Sequence, residues 1–205
     1  MYIKFFRQLH LVALVIVLVF FSNYTSAQEF TLNQVSIVSV KPTASSAGNI
    51  AAELLRSEVG KRTGLNWSVS QTVPATGDVI MLKTANSKSL RSAGSSALPL
   101  IEKAEAYRIY QSEDNNRKLI TVEGFDDRGV LFGAAHLLRI MGYQQGAVSF
   151  NERLSISTAP DKGIRGHQLG YRNTANSYDG WTKDQFEQYI RDLVVFGTNS
   201  IESIP

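Results

Sequence analysis

The chain has 205 residues, with 21 Lys and Arg against 18 Asp and Glu, a net charge of +3, and no cysteine. Disulfide scaffolding, thiol chemistry and a cysteine-linked lipid anchor are therefore excluded. Two of the three excess charges sit near the start, at Lys4 and Arg7. Without residues 1–27 the balance is 19 basic to 18 acidic side chains, which leaves no concentrated basic face for nucleic acid.

The N-terminus reads as a targeting segment. Lys4 and Arg7 form a positive region, and Leu11 to Phe21 is an unbroken apolar run. That run is shorter than the roughly 20 residues of a membrane span. Thr25-Ser26-Ala27 then supplies small residues for cleavage before Gln28, so residues 1–27 are expected to be a signal peptide. An uncleaved anchor is the alternative. With cleavage, the chain is expected to be exported, periplasmic or secreted, with no membrane contact left.

From Gln28 onward the pattern predicts an α+β domain, residues 28–160, as a small sheet with helices on one face. Val35 to Val40 alternates with period two, as a strand does. Ile50, Ala51, Leu54, Leu55 and Val59 recur at helical spacing, and Gly60 and Gly64 are read as ending that helix. Trp67-Ser68-Val69 and Asp78 to Leu82 read as strands. Leu90 to Leu100 is rich in Ser, Ala and Gly and reads as a surface loop. Ala106 to Tyr110 and Lys118 to Val122 form a hairpin around Glu113-Asp114-Asn115-Asn116, which is turn chemistry. A helix follows, capped by Asp126 or Asp127. Its apolar face is Val130, Leu131, Ala134, Leu137, Leu138 and Met141, and Gly142 closes it. His136 falls on the polar side of this helix and is read as a surface residue.

Residues 161–205 have a different plan. Gly163 to Gly170 reads as a strand and Tyr171 to Trp181 as a polar loop. A helix is predicted from Thr182 to Phe196. Thr182 and Gln185 have capping-box spacing, and Gly197 stands where a left-handed cap is expected. Phe186, Tyr189, Ile190, Leu193 and Val194 share one face. Thr198 to Pro205 starts another strand. Strand, loop, helix, strand is one β/α unit of a parallel sheet. A (β/α)8 barrel needs eight units and about 250 residues. Residues 161–205 are thus expected to be the start of an incomplete barrel in a larger enzyme.

Two segments carry a resemblance. Glu105-Ala106-Tyr107-Arg108-Ile109, Lys118 to Gly124, and Asp127-Arg128-Gly129 through Leu138 match an "E-x-Y-x-I" strand, an "I-x-I-x-G" strand and a "G-x-x-x-G" helix with paired leucines. This is similar to the non-catalytic N-terminal domain of bacterial family 20 β-hexosaminidases, and the same domain precedes the barrel in α-glucuronidases. Gly163-Ile164-Arg165-Gly166 resembles the start of the hexosaminidase barrel. The resemblance implies that Arg165 binds hydroxyls of the terminal sugar. A guanidinium, with five donors in a rigid fork, suits that role. A structural arginine bonding backbone at the barrel floor is the other reading. His167, Tyr171, Arg172, Asn176, Tyr178 and Asp179 are candidate lining residues of the loop at the catalytic end.

The chain departs from hexosaminidases after Arg-Gly. Those continue with Leu-Asp and a second arginine, where His167-Gln168-Leu169-Gly170-Tyr171-Arg172 stands here. The departure leaves hexosaminidase and α-glucuronidase both open. The resemblance implies a glycan substrate, no cofactor and no metal. It implies a catalytic Asp-Glu pair that lies beyond Pro205, so no catalytic residue is assigned in this chain. A stand-alone carbohydrate-binding or structural module and an unrelated periplasmic α+β protein are the alternatives.

Overall fold

A computed structural model describes residues 30–39, 47–85, 98–114, 117–169 and 180–203. In chain order these form β1 (Phe30–Leu32), β2 (Val35–Ser39), α1 (Ala47–Thr63), β3 (Ser68–Ser70), β4 (Asp78–Thr84), β5 (Tyr107–Asp114) and β6 (Arg117–Gly124). Then come α2 (Asp127–Ile140), β7 (Gly142–Gln144), β8 (Ala147–Phe150), β9 (Ser155–Thr158), β10 (Gly166–Leu169), α3 (Lys183–Val195) and β11 (Ser200–Ser203).

The main sheet has six strands in the order β3-β2-β4-β6-β5-β9. The first four run parallel, and β5 is antiparallel to both β6 and β9. Register explains the core. Ile37 pairs with Ile80, Ile80 with Ile120, Leu82 with Val122, and Val122 with Ile109. Side chains two apart share a face, so these residues make one apolar surface. Both α1 and α2 cover it, through Ala51, Leu54, Leu55 and Val59 and through Val130, Ala134, Leu137 and Leu138. The small side chains of Ala51 and Ala134 let the helices approach the sheet and each other.

Several expectations need correcting. Gly60 does not end α1; the helix runs on to Thr63, and Gly64 closes it at φ 74 with its N–H on the Gly60 carbonyl at 2.9 Å. The glycine cost inside a helix, about 1 kcal/mol, is outweighed by the buried Leu55, Val59 and Thr63 on either side. Helix α2 buries Phe132 and Ala135 in addition to the predicted face, while Leu131 is only half-buried. His136 is half-buried rather than a free surface residue, because β5 passes beside it. Residues 142–158 form three strands that carry no clear sequence signal. Of these, β8 joins β1 and β7 in a second, three-stranded antiparallel sheet.

Gly142 does not close α2: Met141 is its C-cap, in extended backbone, and Gly142 opens β7. The expected signal peptide, residues 1–27, and most of the expected Leu90 to Leu100 loop lie outside the described residues. Other expected elements are present. The hairpin register pairs Asp114 with Arg117. Asp126, not Asp127, caps α2 and accepts from the Gly129 N–H at 2.7 Å. Helix α3 carries the capping box, with both Thr182–Gln185 bonds present, and Gly197 follows at φ 91. Strands β10 and β11 pair in parallel, Gly166 with Ser200 through Leu169 with Ser203. Helix α3 is their crossover, which parallel pairing requires. The observed class is α+β.

Candidate functional site

Residues Ile101 to Ala106 lead into β5 at the end where α2 begins. The Ala106 N–H bonds to the Lys103 carbonyl at 3.0 Å, and the Ala106 carbonyl accepts from Phe125 N–H at 2.9 Å. Helix α2 can come this close because position 129 is glycine. A Cβ there would stand 2.2 Å from the Ala106 carbonyl oxygen. Within this turn Glu105 adopts φ 64, left-handed backbone that a residue with a Cβ rarely takes. Its N–H donates to Asp126 Oδ2 at 3.0 Å, the same carboxylate that caps α2.

The Glu105 side chain is buried, and its oxygens collect donors from three elements. Arg165 Nη2 lies 2.6 Å from Oε2, and Arg128 Nη2 lies 2.7 Å from Oε1. Asn199 Nδ2 reaches both oxygens at 3.2 Å. Arg165 is held further by the Gly197 carbonyl at 2.6 Å from Nε and the Lys162 carbonyl at 2.8 Å from Nη1. Its guanidinium stacks over the Phe132 ring, 5.0 Å from the centroid. Asn199 Oδ1 accepts the Arg165 N–H at 2.8 Å, and the Asn199 N–H returns a bond to the Arg165 carbonyl at 3.0 Å.

Beside this cluster lies a cleft of about 160 Å3, lined by Tyr107, Phe132, Arg139, Pro160 and Arg165. Tyr107 Oη and His136 Nδ1 are 2.9 Å apart. Burial pushes the Tyr107 hydroxyl above its ordinary value, with Arg139 opposing. Burial and then the Arg139 charge push the His136 imidazole below its ordinary value. A larger, mainly apolar groove of about 580 Å3 runs between α1 and α3, with Ile50, Leu54, Leu131, Ile190 and Val194 along it.

The predicted site residues are placed as follows. Arg165 stands immediately before β10, at the strand end away from the loop that follows Leu169. All three of its guanidinium nitrogens bond to protein. His167 is on β10, with Nε2 2.8 Å from Tyr189 Oη. It belongs to an aromatic group with Trp181, Phe186 and Tyr189, whose neighbouring ring centroids are 5.0 to 5.6 Å apart. That group fastens α3 to β10, so the two candidates lie in separate surroundings. Tyr171, Arg172, Asn176, Tyr178 and Asp179 lie outside the described residues. Among the described residues no group of three or more His, Cys, Asp or Glu is placed to hold a metal ion. Sequence reasoning missed Glu105, Arg128 and Asn199 as a cluster. The available signal was the acidic residue that opens the E-x-Y-x-I motif two positions before β5, with no apolar role to fill.

Known structures share this fold. A family 20 exo-β-N-acetylglucosaminidase from Vibrio harveyi superposes with a TM-score of 0.61 at 20% identity, over 87% of this chain and 23% of that one. A family 115 4-O-methyl-α-glucuronidase with specificity for decorated arabinogalactans gives 0.60 at 15% identity, over 85% of this chain and 26% of that one. The Flavobacterium johnsoniae chitobiase gives 0.54 at 20% identity, over 85% and 24%. The chain thus spans about a quarter of the length of each of these three structures. No curated protein matches it. Residues 23–161 match the family model of glycosyl hydrolase family 20, domain 2, and the chain belongs to that family.

Proposed function

We propose that this chain is the supporting domain and first β/α unit of an exported, exo-acting glycoside hydrolase. Residues 1–27 direct export. Residues 28–160 form a non-catalytic platform, and β10-α3-β11 opens a (β/α)8 barrel. The substrate is a glycan, a β-N-acetylhexosaminide or an α-glucuronide. Glycosidases work with two carboxylates flanking the scissile bond; we place both outside these 205 residues. Residues 1–205 are accordingly inactive by themselves. Of the three expected sugar contacts, Arg165 is taken up by protein at the opposite strand end and His167 by Tyr189, so the proposed contacts are Tyr171 and the loop after Leu169, at the catalytic end.

The observation that supports this reading best is the parallel β10-α3-β11 unit seated directly on a family 20 domain 2. A helix that carries one apolar stripe needs a sheet to cover, and one β/α unit provides only two strands of it.

The test is to express the protein encoded by the whole gene beside residues 28–205. Both are then assayed on p-nitrophenyl β-N-acetylglucosaminide, p-nitrophenyl β-N-acetylgalactosaminide and 4-O-methylglucuronic-acid-bearing oligosaccharides. Release of product by the whole protein and none by residues 28–205 is the expected result. Turnover by residues 28–205 alone, or none by the whole protein on any glycoside, overturns the reading.

A further inference from the structure

We propose that Glu105 is the joint by which the α+β domain holds the β10-α3-β11 unit in position. It is a positioning residue and not a reacting one. This inference does not depend on the glycosidase reading.

Three observations carry it. First, one buried carboxylate reaches the starts of both parallel strands. Its partners Arg165 and Asn199 are 60 and 94 residues away in sequence. Arg165 directly precedes β10, Asn199 directly precedes β11, and the two residues exchange hydrogen bonds with each other. Fixing Glu105 therefore fixes the register and direction of both strands relative to the main sheet. Second, the contact is bought with backbone strain. Glu105 sits at φ 64, where glycine would be at ease. A glycine could not supply the carboxylate. The strained turn is held by the Ala106 carbonyl, the Asp126 side chain and the close approach of Gly129. Third, apolar burial at this junction is thin. Helix α3 has no fully buried residue. Polar ties from α3 to the α+β domain include Lys61 Nζ to Gln188 Oε1 at 2.5 Å and Arg139 to the Val195 carbonyl, both exposed, and a long, part-buried bond from Gln188 Nε2 to Glu58 Oε1 at 3.4 Å.

Charge makes the joint directional. Removing the carboxylate takes the shared counter-charge from part-buried Arg165 and exposed Arg128, and leaves Arg165 its carbonyl partners at Gly197 and Lys162. The loss at Arg165 is the larger one, because a charge partly out of water that loses its partner is disruptive.

Hydrogen exchange on the full 205-residue chain tests this, with Glu105→Gln, Arg165→Met and the double variant. In Glu105→Gln, amides of β10, α3 and β11 are expected to lose protection by about tenfold or more while β2, β4 and β6 keep theirs. The double variant should lose no more than Arg165→Met alone. Glu105→Gly separates strain from coupling: it should leave the main sheet as protected as before, or better, and still release β10 and β11. Asn199→Ala approaches the joint from the other side and should give the same local loss if Glu105→Gln does not fold. Unchanged protection in β10 and β11, additive losses in the double variant, or a uniform loss across the main sheet as well would overturn the proposal.

Discussion

Tyr107 of β5 and His136 of α2 meet edge to face, ring centroids 5.7 Å apart, with the Tyr107 hydroxyl 2.9 Å from His136 Nδ1. The pair seals the flank where α2 lies on the sheet, and it places a titratable ring partly out of water.

That placement predicts a pH dependence. Burial, followed by the Arg139 charge, lowers the His136 pKa from its ordinary 6.5. The unfolded chain thus takes up this proton before the folded chain does. The contribution to stability is complete above pH 6.5 and is lost as pH falls below it. Urea midpoints at pH 7.5 and 5.5 should fall less in His136→Gln than in the unmodified chain. Equal falls would mean that His136 does not contribute to the slope.

The same flank predicts a packing limit. A Cβ at Gly133 would lie 2.5 Å from Val122 Cγ1 and 3.2 Å from Tyr107 Cγ. Gly133→Ala should destabilise the domain by about 1–3 kcal/mol despite the better helix propensity of alanine. Adding Val122→Ala should recover part of the loss, since the clash is with that side chain. Chemical denaturation of the single and double variants measures both.

At the other end of α2, Tyr143 donates to the Leu138 carbonyl at 2.6 Å, and burial pushes its hydroxyl up to about 12, with Arg62 opposing. The folded state keeps this proton longer than the unfolded state. Its contribution is complete below pH 10 and is lost as pH rises toward 12. Tyr143→Phe should flatten the alkaline limb of the stability curve, read from unfolding midpoints between pH 9 and 11.

Helix α3 predicts a local effect. Thr182 Oγ1 accepts the Gln185 N–H at 3.4 Å, and Gln185 Oε1 accepts the Thr182 N–H at 2.8 Å. Thr182→Ala should cost about 1 kcal/mol. The loss should appear as faster exchange in the first turn of α3, with the main sheet unaffected. A global drop in the unfolding midpoint would show that α3 is coupled more tightly than its exposed cap suggests.

What could be read in advance divides along one physical line. The α3 capping box, the Gly197 terminus, the β5–β6 hairpin and the Asp126 cap are made within a few residues of chain, so spacing and side-chain chemistry determined them. So did the apolar alternation of β2, because a sheet face imposes period two on whatever it buries. The family resemblance rested on the same local features: Glu105, Tyr107 and Ile109 before the hairpin, and Gly129 and Gly133 after it.

The rest required the tertiary structure. Strands β1, β7, β8 and β9 are three or four residues long. Phe30 finds its partner at Phe150, so no local pattern marks either strand. Helix periodicity put His136 on a polar side, and only the passage of Tyr107 covered it. Gly60 carried a terminator's propensity, but burial on both sides kept the helix intact. Glu105 read as the first letter of a strand motif. Its role was decided by partners 60 and 94 residues away, because a buried carboxylate is defined by the donors the fold brings to it rather than by its neighbours in the chain.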